Sequence, residues 1–122
     1  MRKRILIVEN SFLIGLDLAD FCDSVGYSAM GPHMSVASAR RSVAATRPDV
    51  AVMDVHLKRE TTLAFGAELS ARGIPVLYVS ADKDSAQRLR ASGAAFLEKP
   101  FSHATLARAV QEILTHTEPT AA

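Results

Sequence analysis

Five times along the chain, a short aliphatic run gives way to a longer stretch of helical period, and this alternation restricts the fold more than any other feature. Ile5-Leu6-Ile7-Val8 opens the series. It is apolar at every position, the pattern of a strand buried on both faces. Ile14, Leu18, Phe21, Cys22 and Val25 then recur at three- and four-residue steps, which marks one helix face. Asn10 or Ser11 suits that helix's cap, and Gly26 its stop. Tyr27 to Met30 predicts a second strand closed by Gly31-Pro32, and Ser35 opens a second helix through Thr46. Val50 to Met53 is a third strand. It is followed by a helix from about Thr62 to Arg72 with Leu63 or Ala64, Ala67 and Ala71 turned inward. Pro75 to Val79, a helix from Ser85 to Ser92, and Ala95 to Leu97 complete the strands. Ser102 caps a last helix carrying Leu106, Val110, Ile113 and Leu114 on one face.

Strict alternation of buried strands with helices predicts an α/β fold, a five-stranded parallel sheet with helices on both faces. Right-handed crossovers bring the C-terminal ends of the strands to one edge, and sites in such folds lie there. The 122 residues fit one domain, read as 1–116, with 117–122 as a polar, disordered tail. Fourteen basic residues balance thirteen acidic ones, which argues against nucleic acid or a membrane surface as partner. The apolar runs are strand-length, too short for a membrane span, and no secretory leader is legible, so a cytoplasmic location is expected. The single cysteine, Cys22, excludes an internal disulfide.

The residues that follow the strands carry the chemistry. Glu9 and Asn10 follow the first, Asp54 the third, Ser80 the fourth, and Lys99-Pro100 the fifth. Two carboxylates, an amide, a hydroxyl and an ammonium therefore converge on one edge. Carboxylates are ligands suited to a small hard cation such as Mg²⁺. A carboxylate beside such a cation can attack phosphorus, while an ammonium and a hydroxyl hold the phosphoryl oxygens.

These motifs, Ile5–Asn10, Val50–Leu57, Val79-Ser80-Ala81 and Phe96–Phe101, together resemble the receiver (CheY-like) domain of two-component response regulators. The resemblance spans Lys3 to about Leu114 and implies a flavodoxin-like strand order 2-1-3-4-5. It implies that Asp54 accepts a phosphoryl group from a sensor histidine kinase or a histidine phosphotransfer protein. Glu9, Asn10, Asp54 and the backbone carbonyl of His56 would hold Mg²⁺, weakly. Ser80 and Lys99 would bind the phosphoryl oxygens, with a cis Lys99–Pro100 bond. Ser80 and Phe96 fall at the family's switch positions. His56 and Asp82, two residues beyond Asp54 and Ser80, fall where the family tunes phosphate lifetime. Output would pass to a downstream protein through helix four, strand five and helix five, from a monomer or weak homodimer. The domain would be no enzyme beyond its own phosphorylation and dephosphorylation.

Two departures bear on this expectation. The family pairs two acids after the first strand, whereas here neutral Asn10 follows Glu9. A unit-charge pair at about 4 Å is worth roughly 4 kcal/mol at an effective dielectric near 20, so the missing charge weakens a metal site. The segment Val55–Thr62 also lacks the family's proline and glycine, which predicts a trimmed and mobile loop. Both features favour the alternative, a phosphorylation-independent interaction module on the same fold (a pseudo-receiver). A flavodoxin-like cofactor enzyme is disfavoured, because Glu9-Asn10-Ser11-Phe12 is no phosphate-cradling loop.

Overall fold

The computed structural model describes residues 2–117. The elements alternate throughout: β1 (Arg4–Val8), α1 (Phe12–Ser24), β2 (Ser28–His33), α2 (Val36–Ala45), β3 (Val50–Asp54), α3 (Leu63–Ala71), β4 (Val76–Ser80), α4 (Lys83–Ser92), β5 (Ala95–Glu98) and α5 (His103–Thr117). The strands form one sheet in the order β2-β1-β3-β4-β5, and every adjacent pair is parallel. Helix α5 runs through Thr117, so Thr117 belongs to it rather than to the expected tail. The rest of the expected tail, from Glu118, lies outside the described residues.

The period-one apolar runs produce a two-sided core. Leu6, Val8, Ala51, Met53 and Tyr78 face a cluster with Val36, Val43, Phe65, Leu69 and Leu89. Ile5, Ile7, Val50, Val52, Leu77 and Val79 face the other, with Leu18, Phe21, Leu106 and Val110. Each strand residue thus reaches one helical layer or the other, as alternation of side chains along a strand requires. The central strand β3 is buried at every position, whereas β5, at the sheet's edge, is half-buried or exposed throughout.

Several local expectations need correction. Gly31-Pro32 does not close β2. The strand continues to His33 with one extra residue opposite β1, so Leu6 pairs with Met30 and Val8 with His33. Gly31 has φ +122° and passes so close to Ile7 that a Cβ would lie 2.7 Å from its carbonyl oxygen. Glycine is therefore the residue that lets the bulge form. Ser11, not Asn10, caps α1 by accepting from the Ile14 amide at 3.3 Å. Ile14 and Val25 lie on the exposed side of that turn pattern, while buried Gly15 packs on Pro32. Helix α3 turns the opposite face inward from the one expected. Phe65, Gly66 and Leu69 are buried, and Leu63, Ala64, Ala67 and Ala71 are exposed. Alanine repeats carry little burial energy, and the larger Phe65 and Leu69 decide which face turns inward.

The loop after Asp54 carries its own hydrogen bonds. His56 and Thr61 pair across an antiparallel bridge, and the Leu57 amide donates to the Glu60 carbonyl at 2.8 Å. The Glu60 carboxylate in turn accepts from the Val36 amide at 3.1 Å, tying the loop to the start of α2. These bonds tie down a segment that has neither proline nor glycine.

Candidate functional site

The C-terminal ends of β1, β3 and β5 deliver Glu9, Asp54 and Lys99 to one pocket. The Lys99 amide donates to the Ser80 carbonyl at 2.9 Å, and its peptide to Pro100 is cis. Its ammonium Nζ lies 3.0 Å and 3.1 Å from Glu9 Oε1 and Oε2, and 3.1 Å from Asp54 Oδ2. Glu9 is 1% exposed, held by its amide on the His33 carbonyl and by the Ser11 amide on its Oε1. The Asp54 side chain keeps 10% of its surface open, and its Oδ1 accepts from the His56 amide at 3.2 Å.

The electrostatics follow from this burial. Desolvation pushes the Glu9 carboxyl above its ordinary 4.5, a shift that the Lys99 hydrogen bond only partly offsets. Burial alone would lower Lys99. The hydrogen bonds and charges of Glu9 and Asp54 outweigh it and hold the ammonium above the ordinary 10.5. The pocket is therefore a lysine cation enclosed by two acids.

The other expected residues lie outside this Glu9–Asp54–Lys99 cluster. Asn10 is exposed, and among the described residues its side chain bonds to none of the pocket residues. Ser80 is buried at the end of β4, where its hydroxyl accepts from the Asp82 amide at 3.0 Å rather than from the pocket. His56 and Asp82 meet each other. His56 Nε2 lies 2.9 Å from Ser85 Oγ and 3.4 Å from Asp82 Oδ2, and Ser85 Oγ donates to Asp82 at 2.8 Å. Asp82 also caps α4 by accepting from the Ser85 amide, which starts that helix at Lys83 rather than Ser85. The Ser85 hydrogen bonds hold its carboxyl below the ordinary range. Phe96 is half-buried on the α4 side, with the Arg90 guanidinium 5.7 Å from its ring centre and Glu98 3.5 Å from Arg90.

One site residue does not stand out in the sequence. Thr62 is fully buried, and its hydroxyl donates to the Asp54 carbonyl at 2.8 Å. Its amide donates to the Val55 carbonyl, so both its polar groups brace the chain next to Asp54. A lone threonine before a helix reads as a cap, and its reach back across eight residues is visible only in three dimensions.

A parallel sheet with a lysine and two acids at its C-terminal edge defines a class of α/β signalling domain, and comparison with known proteins identifies the family. Residues 5–111 match the family model described as the response regulator receiver domain. The chain is 32% identical to the transcriptional regulatory protein PdtaR of Mycobacterium tuberculosis over 113 residues, 89% of this chain and 55% of that protein. It is 30% identical to the response regulator MprA of the same species over 124 residues, 98% of this chain and 54% of MprA. The chain thus spans about half the length of the curated relatives it matches. Among solved structures it superposes on a response regulator receiver protein from Burkholderia phymatum with a TM-score of 0.82 at 25% identity, covering 93% and 96% of the two chains. The receiver domain of PhyR from Erythrobacter litoralis shares the fold with a TM-score of 0.84 at 23% identity, covering 99% of this chain and 97% of that one. The chain belongs to the response regulator receiver domain family of two-component signalling.

Proposed function

We propose that Asp54 accepts a phosphoryl group from a phosphohistidine of a sensor kinase or a histidine phosphotransfer protein. The observation that carries this reading is the contact of Lys99 Nζ with both Asp54 and Glu9, because it sets a cation beside the one pocket carboxylate still open to solvent. In the transfer, an Asp54 carboxylate oxygen forms a bond to phosphorus as the phosphorus–imidazole nitrogen bond breaks. The imidazole leaves with a proton. Lys99 faces an aspartyl phosphate of about −1.5 to −2 charge where the free carboxylate carried −1. Ser80 gives up its bond to the Asp82 amide to hold a phosphoryl oxygen.

The donor set fits Mg²⁺ in part. Among the described residues no group of three or more acids, histidines or cysteines could hold a metal. Magnesium nevertheless often binds through one or two carboxylates with phosphate oxygens and water completing its shell. Glu9 and Asp54 would supply those carboxylates, with the His56 carbonyl and Asn10 as further oxygens. When bound, the ion neutralises charge on the transferring group. His56, Asp82 and Ser85 form a bridge at the mouth of the pocket and govern access of the water that ends the phosphorylated state.

Switching runs from Asp54 through Ser80 to the start of α4 and to Phe96, and it presents α4, β5 and α5 to a downstream protein. The pairing of Tyr78 with Phe96 in the sheet supports this route. A coupling of about 1–3 kcal/mol suffices for such a switch. The domain acts as a monomer or weak homodimer, in the cytoplasm. No helix among the described residues is long and apolar enough to cross a membrane. Intact-mass measurement after treatment with a small phosphodonor and Mg²⁺ tests the reading. A single phosphate adduct absent from Asp54→Asn supports it, and an unmodified wild-type chain overturns it. That second outcome favours the pseudo-receiver reading, which the exposure of Asn10 also supports.

A further inference from the structure

We propose that the groove between the 55–63 segment and helix α4 is a binding site for a small organic carboxylate with an apolar body. The site is separate from the Glu9, Asp54 and Lys99 pocket, and the inference stands whether or not Asp54 accepts a phosphoryl group.

The groove has a volume of about 370 Å³, within the range of small-molecule sites. One wall is the chain from Val55 to Leu63, the first residue of α3. The other is the side of α4 that carries Ser85, Arg88 and Leu89. These positions lie three and four residues apart and so share one face of the helix.

The aliphatic side chains supply a surface for the apolar body. Val55 is 1% exposed and Leu89 8%, whereas Leu63 is 45% exposed. Leu63 is left at the groove because α3 turns Phe65 and Leu69 into the core instead. A lone exposed leucine needs no explanation. This one lines a concavity with two further aliphatic residues, so an apolar body there is covered from both walls.

The polar groups select the head group. Among the described residues the Arg88 guanidinium and the Thr61 hydroxyl have no partner within the protein, and both line the groove. The neighbouring Arg90, by contrast, is paired with Glu98 and lies over the Phe96 ring. A guanidinium presents paired N–H donors that match the two oxygens of a carboxylate. Thr61 adds a hydroxyl donor from the facing wall. The other end of the groove is closed by His56 Nε2, 2.9 Å from Ser85 Oγ, and Ser85 Oγ donates in turn to Asp82 at 2.8 Å. Asp82 places a negative charge at that end, so a singly charged head group beside Arg88 is favoured over a dianionic phosphate. A carboxylate bonded to both Thr61 and Arg88 would tie the 56–61 turn to α4 a second time, next to the His56–Ser85 link.

The test titrates the full chain with 2-naphthoate, an aromatic carboxylate, and with 2-naphthamide, its uncharged counterpart, and follows backbone amide shifts. The expected result is saturable one-site binding of 2-naphthoate with shifts centred on Thr61, Leu63, Arg88 and Leu89. The Kd of 2-naphthamide should be about tenfold weaker, the loss of one hydrogen-bonded charge contact. Arg88→Gln, at an exposed position, should weaken 2-naphthoate by a similar factor and leave 2-naphthamide unchanged. Leu63→Ser should weaken both probes by about threefold, through lost apolar contact. Equal Kd values for the two probes, shifts centred elsewhere, or no saturation overturn the proposal. So does 2-naphthoate binding that weakens as the protein is concentrated, because a second copy of the chain then covers the groove.

Discussion

The Tyr78 ring and hydroxyl rest directly against Gly66 of α3, so close that a methyl group on that glycine would overlap the phenol oxygen and crowd the ring carbon 2.7 Å away. Strand β4 and helix α3 thus meet through a large residue seated on an absent side chain. Gly66→Ala gains roughly 1 kcal/mol of helix propensity. It forces apart a packed contact, which typically costs about 1–3 kcal/mol. The net result is a less stable domain, read as a lower midpoint in urea. Combining it with Tyr78→Phe restores part of the loss, because the phenol oxygen is the nearest obstacle. A single Gly66→Ala variant more stable than wild type would refute the contact.

Thr62 holds the backbone of the acceptor residue through its bond to the Asp54 carbonyl. Thr62→Val keeps the shape and leaves that buried carbonyl without its donor. The expected cost is about 1–3 kcal/mol of stability, the desolvation penalty of an unsatisfied group. Phosphorylation by a small donor should slow as well, because the carboxylate is no longer fixed. Thr62→Ser, which keeps the hydroxyl, should recover both.

Helix α3 and Thr62 show where the sequence stops being legible. Hydrophobic period and strand composition were enough for the number and order of elements, because those depend on which segments bury two faces and which bury one. The convergence of Glu9, Asp54 and Lys99 was legible too, since parallel strands must end together. The inward face of α3 was not. Its residues LAFGAELSA are apolar nearly all round, so no stripe distinguishes Phe65 from Leu63. Nor was the bond of Glu60 to the Val36 amide, or the Thr62 brace, because each joins segments through a turn whose path no periodicity records.

The enclosed lysine predicts an alkaline limit. Its folded pKa is raised above the ordinary 10.5, chiefly by Glu9 and Asp54 overcoming burial. A raised value means that the folded state holds this proton more firmly than the unfolded chain. The stability it confers is complete below pH 10.5 and is lost as pH rises through the folded value. Thermal melts above that pH should fall more steeply for wild type than for Lys99→Met. Parallel curves would show that the ammonium contributes nothing.

The His56, Ser85 and Asp82 bridge is expected to prolong the phosphorylated state. His56→Ala removes the bridge while leaving the Asp82 bond to the Ser85 amide in place, and it should shorten the aspartyl-phosphate half-life by about threefold, roughly 0.7 kcal/mol of barrier. Asp82→Ala should do the same. It should also cost about 1 kcal/mol of stability through the lost cap on the Ser85 amide. Decay of the adduct followed by mass spectrometry separates the two effects, and an unchanged half-life in both variants would rule the bridge out as a barrier to water.

The sheet's order divides the pocket into a fixed floor and a hinged wall. Glu9 and Asp54 grow from β1 and β3, strands flanked by neighbours on both sides, whereas Lys99 follows β5, which has a neighbour on one side and is half open to solvent. Displacement therefore meets least resistance at the lysine end. Changes along that edge strand would shift the cation while leaving the two carboxylates in place.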